Sequence, residues 1–293
     1  MSGFVSIDLS KVPLPDVVET LETETIIQEV LEDYQSAYPE YTAFVESDPI
    51  QKLLETAAAR EINLRQRVND AARGCMVATA CGADLDNLGA LAPVERKLLD
   101  AGDSEARPVV PPTYEGDEEF RARVQLAPEG FSTAGPDGAY KFFALTVAAV
   151  RDAAPLKVAP GYVDVYVLGR EGNGEPDSAT LAAVDSAVND REIRPLTDNV
   201  TVKAAEIVSY EVNAKLYIQS GPAPSAVVDA AQQAVADYVA ARHVLGGAVP
   251  LSGIYAALHV EGVARVELHS PVADLAMEKW QAAYCTAVSV EVG

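Results

Sequence analysis

The sequence predicts an α+β protein with a helical N-terminal region, containing one long helix, followed by two small tandem α+β modules. Three observations support this prediction. Apolar residues recur at helical spacing over a long stretch that begins after Asp48. A proline-rich segment, residues 100–116, suits neither a helix interior nor a central strand. Beyond it, a helix-to-strand pattern occurs twice, at residues 139–150 and 253–263.

These features divide the chain into four parts. We expect an N-terminal arm and helical bundle region at residues 1–99 and a proline-rich linker at residues 100–116. A first α+β module at residues 117–205 and a second at residues 206–293 follow. At 293 residues, the chain is long enough for two or three domains with their own cores. Residues 1–15 are expected to form an extended arm.

The start of the long helix is specified by its first residues. Asp48 is a natural N-cap, Pro49 suits the first helical position, and Gln51 stands where it would complete a capping box. The pattern extends this helix over residues 49–81, which would make it about 45 Å long at 1.5 Å per residue. It exceeds the radius of a compact domain of this size, so we expect part of it to leave its own core.

Shorter helices are predicted on both sides of the long one. The first begins at Thr23 and stops before Pro39. The other follows Gly82, which suits a left-handed C-terminal stop, and has Asp84 as its cap before Pro93 ends it. The N-terminal region is therefore expected to be helical throughout, apart from its arm.

The long helix has more than one apolar face. Small or apolar residues follow one another in steps of three, four or seven, interrupted only by Glu61; they are Ile50, Leu54, Ala57, Leu64, Val68, Ala71 and Cys75. Leu53, Ala58 and Ile62 lie off this stripe. We predict a partner-binding bundle face formed by Ile50, Leu53, Leu54, Ala57, Ile62, Leu64, Val68 and Ala71. Periodicity does not say whose surface covers a stripe, so a core helix within one globular protein stays equally open.

Downstream of the linker, the pattern alternates between helices and strands. Acidic residues at 117–119 precede basic ones, as the helix dipole favours at a helix start. Strands are then predicted at GYVDVYVLG, DNVTVKA, EIVSYEVNAKLYIQ, GVARVELHS and TAVSVEV, with helices at residues 178–190 and 226–241. The shared ending of residues 139–150 and 253–263 is a weak indication of duplication.

Charge and cysteine content exclude several classes of function. The chain has 22 Lys and Arg against 44 Asp and Glu, a formal net charge of −22, so we expect neither nucleic acid nor an anionic membrane as a partner. Residues 46–81 are by contrast neutral, and association along them would meet the least repulsion. Three cysteines give no disulfide framework or zinc site. Neither a signal peptide nor a membrane span is predicted.

No catalytic, metal or cofactor site is predicted. The glycine-rich segment at residues 169–177 lacks the spacing and the lysine of a phosphate loop and carries three acids, so a flexible loop is the simpler interpretation. Ser132 misses a nucleophile elbow by one position, and Asp84 and Asp86 lack the rest of a calcium loop. The histidines, His243, His259 and His269, show no metal-binding spacing.

Three segments resemble the baseplate assembly protein J family, the wedge subunits of contractile phage tails and phage-tail-like bacteriocins. DPIQKLLETAAAREINLRQRVNDAARGCMVATACGADLDNLGAL resembles its long helix with the joint that follows. GDEEFRARVQLAPEGFSTAGPDGAYKFFAL, residues 116–145, resembles a second signature. RPLTDNVTV at residues 194–202, with the closing strands GVARVEL and TAVSVEV, resembles a third. The resemblance covers nearly the whole chain.

This resemblance implies a structural viral protein that forms hetero-oligomers in a contractile injection system. Wedge proteins of this kind pair with a second copy of themselves and a smaller tail protein of the tail protein I type. They also meet a sheath-initiator or lysozyme-like wedge subunit and the central hub or spike, and their C-terminal modules link wedges into a ring. The implied location is the virion tail baseplate or a phage-tail-like particle such as a tailocin or pyocin, assembled in the bacterial cytoplasm.

Two other functions remain as alternatives. One is an acidic, cell-wall-degrading hydrolase carried on a tail-like scaffold, with carboxylates such as Glu118 or Asp164 acting. The other is a peripheral tail fibre or adhesin component, which long repetitive β stretches would favour. The sequence has no such stretches.

Overall fold

A computed structural model describes residues 7–41, 45, 48–132, 135–219 and 223–293. It has mixed α+β secondary structure, as predicted from the sequence. The described residues form two compact units. We call them the helical unit, residues 7–96 and 116–125, and the sheet unit, residues 97–115 and 126–293.

The helical unit contains three complete helices. They are α1 (Thr23–Ala37), α2 (Pro49–Gly74) and α3 (Gly82–Leu91). The arm is not wholly extended, because Leu9–Lys11 form a 3-10 turn capped by the Asp8 carboxylate, which accepts from the Ser10 amide at 3.1 Å. The first six residues of the predicted arm lie outside the described part.

The long helix is shorter than the sequence predicts, because it ends at Gly74 instead of continuing to residue 81. The Thr79 hydroxyl donates to the Arg73 carbonyl at 2.7 Å, which satisfies a carbonyl that the helix would leave open. A Cβ at Gly74 would stand 2.8 Å from the Asp84 carboxylate, so α3 approaches this terminus closely. With 26 residues, α2 is about 39 Å long.

Residues of the next helix, α4 (Asp117–Gly130), hold the joint between α2 and α3. The Arg121 guanidinium is buried and donates to the carbonyls of Val77 and Ala80, both at 2.6 Å. The Asp117 carboxylate accepts from the Gly82 amide at 3.1 Å. The prediction that Asp84 caps α3 is therefore wrong: Asp84 lies in the first turn, and Asp117 supplies the capping oxygen from α4.

The sheet unit opens with a short antiparallel pair, β1 (Leu98–Asp100) and β2 (Thr113–Tyr114). Its central module contains α5 (Asp137–Ala144), β3 (Val150–Ala159), β4 (Tyr162–Gly169), α6 (Ser178–Val188) and β5 (Asn199–Ala204). Strand β4 lies in the middle of the sheet, antiparallel to β3 and parallel to β5. Valines of β4 and α6 form the buried core of this module.

The C-terminal module has the same sheet arrangement but a different order along the chain. It contains β6 (Glu206–Ile218), α7 (Pro224–Arg242), α8 (Leu251–Leu258), β7 (Val263–Ser270) and β8 (Gln281–Val292). Here β6 lies in the middle, antiparallel to β7 and parallel to β8.

The helix-to-strand pattern that occurs twice in the sequence forms the same turn in both modules. The amide of Val150 donates to Val147, and that of Val263 donates to Val260, each at 3.1 Å. This unit precedes the central strand in the first module and follows it in the second, so the echo is not a simple tandem duplication.

The two modules are joined through a continuous extended segment. Ala205 links β5 to β6, and its amide donates to the Val167 carbonyl at 2.9 Å. Around it, Leu168 and Ala282 form a separate small buried cluster. Asp152 crosses the junction and accepts from the Leu245 amide at 3.0 Å. These contacts make the two modules one body.

His243 is buried at the same junction. Its Nδ1 lies 2.7 Å from the Ala283 carbonyl, and its ring packs edge-on against Tyr284. A Cβ at Gly174 would come within 2.7 Å of its Nε2, so only glycine fits there. Gly174 belongs to the glycine-rich loop at residues 169–177, which was predicted to be flexible. This loop folds back on itself, because the Gly169 amide donates to the Gly174 carbonyl at 2.7 Å.

Burial of His243 makes the junction sensitive to acid. Desolvation, and to a lesser extent the charge of Arg151, hold the pKa of the His243 imidazole below its ordinary value. The unfolded chain therefore binds the proton more readily than the folded one, and stability is lost as the pH falls below about 6.5. We expect a loss of at most about 1.4 kcal/mol per pH unit from this group.

Denaturation followed by fluorescence of Trp280, the chain's one tryptophan, which lies beside Tyr166, measures this effect. The acid-dependent slope should be shallower in His243→Gln than in the unsubstituted protein. Identical slopes would show that His243 does not couple to folding.

Candidate protein interface on the long helix

The N-terminus of α2 is fixed by Asp48. Its carboxylate accepts from the Ile50 amide at 2.9 Å, and the Tyr41 hydroxyl donates to its other oxygen. The predicted capping box is wrong in one respect. The Asp48 amide donates to the Val45 carbonyl at 2.9 Å, while the Gln51 side chain points along the helix to Glu55, at 3.5 Å. The Val45 carbonyl thus accepts from the amide that the capping box would give to Gln51.

One face of α2 is covered by α1 and the segment before it. Ala58 has no exposed surface, and Asn69 is buried although it is polar. The Asn69 side-chain oxygen accepts from the Glu19 amide at 3.0 Å, and its NH₂ group donates to the Glu19 carbonyl at 2.9 Å. Asn69 thereby satisfies both backbone groups of a residue fifty positions earlier and ties the segment between the arm and α1 to the helix.

Arg65 adds charge to the edge of the covered face. Its guanidinium pairs with Glu61 on the same helix and lies 3.5 Å from carboxylate oxygens of both Glu19 and Glu29. Three carboxylates thus share one cation. The charge around Arg65 is net negative, even though α2 as a whole carries five Lys and Arg against three Asp and Glu.

A second face of α2, beside the covered one, is apolar and exposed. Leu53, Leu64 and Val68 are 68%, 64% and 53% exposed. The small residues Ala57 and Ala71 on the same side are also exposed. Leu64, Val68, Ala71 and Cys75 line a shallow groove. Apolar side chains aligned on one helical face are typical of a surface that packs against another protein.

This side of α2 has a seven-residue repeat that a charged residue interrupts once. Eight residues follow one another along the helix in alternate steps of three and four, and we name this stripe the seam. In the usual heptad letters, position a holds Leu54, Glu61, Val68 and Cys75. Position d holds Ile50, Ala57, Leu64 and Ala71. A spacing of 3.5 residues per turn is the signature of a helix that winds around another helix. Glu61 is the single charged residue in the seam.

Most of the predicted interface residues lie on or beside the seam. Ala57, Leu64, Val68 and Ala71 are exposed on it, and Ile50 and Leu54 lie on it in half-buried positions. Leu53 stands exposed at its edge. Ile62, one turn after the buried Ala58, shares the covered face and is half-buried. The sequence-based prediction of the interface did not include Arg60 and Arg67. Both are exposed beside the seam and form its polar edge.

The carboxylates weighed as hydrolase groups lie in separate surroundings. Glu118 is 91% exposed in its side chain and pairs with Arg121, whereas Asp164 pairs with Lys203 at 2.6 Å in the central sheet. Among the described residues, no three His, Cys, Asp or Glu side chains are grouped as a metal site would require. None of the helices in the described ranges is long and apolar enough to cross a bilayer.

Comparison with known proteins gives consistent matches along the chain. Residues 46–103 match the Baseplate J-like N-terminal domain, residues 132–204 the Baseplate J-like central domain, and residues 210–291 the Baseplate J-like protein C-terminal domain. Baseplate protein J of Escherichia phage P2 is 43% identical over 295 residues, and the alignment covers 98% of each chain.

The contacts of Asn69 predict how the segment before α1 is held. Asn69→Ala removes both hydrogen bonds to Glu19, at a cost of about 1–3 kcal/mol for a buried pair of this kind. We expect faster amide hydrogen exchange in residues 16–22 while α2 keeps its protection. Asn63→Ala, at an exposed position of the same helix, is the matched control and should change neither. Unchanged exchange in Asn69→Ala would mean that other contacts hold this segment.

Proposed function

Because the chain belongs to the baseplate J-like family, it is a structural baseplate component, and we propose that it serves as a wedge subunit of a contractile tail. In this role, it associates with a second copy of itself and bundles with a smaller tail protein of the tail protein I type. The wedges then form the ring around the central hub or spike.

The exposed seam of α2 is the observation that carries this proposal. Burying a leucine side chain contributes about 1.5–3 kcal/mol, and the seam offers several apolar side chains that the described part of the chain leaves exposed. Its seven-residue repeat suits another helix in preference to a flat surface. A bundle of helices from several chains would cover the whole length of the seam.

The sheet unit supports the second part of the proposal. Because Asp152 and Ala205 tie the central and C-terminal modules together, they can act as one rigid piece in a ring. We propose that the C-terminal module makes the contacts between wedges. Residues 100–116 would allow copies in non-equivalent positions to differ in conformation.

The proposed mechanism is mechanical. The ring holds the sheath in its extended state, and receptor engagement rearranges the interfaces so that contraction begins. Packed interfaces suit such a switch because they change between discrete arrangements and do not deform continuously. Other proposed contacts are a sheath-initiator or lysozyme-like wedge subunit, with the assembly located in the virion tail or a phage-tail-like particle built in the host cytoplasm.

A non-enzymatic role agrees with the state of the candidate carboxylates. Asp164 is held in an ion pair with Lys203, and Glu118 stands in solvent beside Arg121. A glycosidase needs two carboxylates placed on opposite sides of one bond, in a site that can raise the pKa of one of them. Neither residue has such surroundings, so the hydrolase alternative receives no support.

The proposal predicts the effect of a charge in the seam. Leu64→Glu should abolish the complex with a second copy and the smaller tail protein, because a charged group would be buried against apolar side chains. Native mass spectrometry of the chain co-expressed with the products of its neighbouring genes measures the complex.

The matched control is Asn63→Glu, which places the same charge one residue away on the exposed side of α2 outside the seam. We expect the control to assemble normally, and both variants to keep the thermal transition of the sheet unit. Assembly of Leu64→Glu at the control level would contradict the bundle assignment.

A further inference from the structure

On the basis of the helix bundle proposed above, we propose that Glu61 determines which helix packs against the seam. The partner is a helix of another protein that carries Lys or Arg at the position facing Glu61. The α2 helices of two copies of this chain do not cover each other's seams by themselves. A third helix, from the other protein, completes the bundle and supplies the positive charge.

The position of Glu61 within the repeat carries this inference. It lies midway along the seam, with Leu54 one heptad before it and Val68 one heptad after it. In a parallel pair of identical helices, a position packs against the same position of the partner. Self-pairing in register therefore places the two Glu61 carboxylates directly opposite each other, inside an otherwise apolar contact.

The residues beside the seam oppose self-pairing as well. Arg60 and Arg67 are exposed along its free edge, at heptad position g. In an antiparallel pair, position g meets position g, which opposes arginine to arginine. In a parallel pair, position g meets position e of the next heptad, so Arg60 would face Arg65 together with the carboxylates that share it, and the like charges that oppose pairing are the two Glu61 side chains. Each orientation therefore brings like charges of two copies together.

Charge near Glu61 favours a cation from outside. Arg65 is already shared by Glu61, Glu19 and Glu29, so one positive charge serves three carboxylates. No Lys or Arg occurs between Lys11 and Lys52, so neither α1 nor the segment before it contributes another cation. A Lys or Arg from a partner helix that faced Glu61 would add a second cation to this group of carboxylates.

These features assign the charges of the complementary helix. It has an apolar heptad seam, one basic residue at the level of Glu61, and acidic residues along the edge that meets Arg60 and Arg67. In a bundle with two copies of this chain, one such cation would separate two Glu61 carboxylates. Helices often gain specificity for one partner because like charges repel each other in the wrong pairing.

Self-association of the full chain tests the first half of the proposal. At the same concentration, sedimentation velocity should find larger species for Glu61→Leu, whose seam is entirely apolar or small, than for the unsubstituted protein, because association through the C-terminal module is the same in both. Gln66→Leu adds the same side chain to an exposed position outside the seam and is the matched control. Self-association of the unsubstituted protein as strong as that of Glu61→Leu would overturn the proposal.

Binding of synthetic helices tests the second half. Three peptides of about four heptads, with a leucine seam and a glutamate edge, differ only in one central seam residue: Lys, Glu or Leu. Fluorescence anisotropy should show the Lys peptide binding the full chain at least about tenfold more tightly than the Glu peptide. Glu61→Lys should reverse this order.

The results separate this inference from the proposed function. Equal binding of the Lys and Glu peptides would overturn Glu61 as a selector while leaving the seam a helix-binding surface. Failure of all three peptides to bind would mean that the seam is not an interface for helices, and both proposals would fall.

Discussion

The apolar seam of α2 is the constraint on which the rest of the helical unit depends. A helix that buries one face against α1 and leaves an apolar stripe on the other must be held straight and in a fixed rotation if that stripe is to meet a partner. The contacts on the covered side do this. Asn69 fixes the segment before α1 against the helix, and the buried Ala58 allows the close approach of its neighbours. Both ends of α2 are fixed, by Asp48 at the start and Thr79 at the end.

The sequence of α4 has a complementary role at the joint that follows. Arg121 and Asp117 bind backbone groups of the turn and of α3, so a helix distant in sequence sets the path of the chain. Phe120 packs so closely against Gly89 that a Cβ there would lie 2.4 Å from the ring. A buried guanidinium such as that of Arg121, bonded to two backbone carbonyls, makes such a joint specific in geometry. The segment that resembles the family's second signature therefore has a direct structural use.

Periodicity predicted the helices and strands well because their core faces repeat every three to four or every two residues. It failed where the deciding group comes from elsewhere in the chain. At the end of α2, the Thr79 hydroxyl bonds the Arg73 carbonyl and the Asp84 carboxylate lies close to Gly74. At its start, Val45 accepts from the Asp48 amide that the capping box would give to Gln51. The order of elements around β6 is likewise a tertiary property, since strand spacing does not say which strand lies in the middle. For the proposed interface, the apolar residues could be predicted from the sequence but their sides could not: Ile62 shares the covered face, and the exposure of Arg60 and Arg67 shows where the polar edge lies.

The central claim is that the seam of α2 is covered by other chains in the assembled baseplate. Hydroxyl-radical footprinting of this chain, free and within purified tail particles, tests it directly. The account predicts strong protection of Leu64 and Val68 in the particle, with Gln66 and Asn63 of the same helix still accessible on its outer side. Equal oxidation of Leu64 and Val68 in the free chain and in the particle would contradict it.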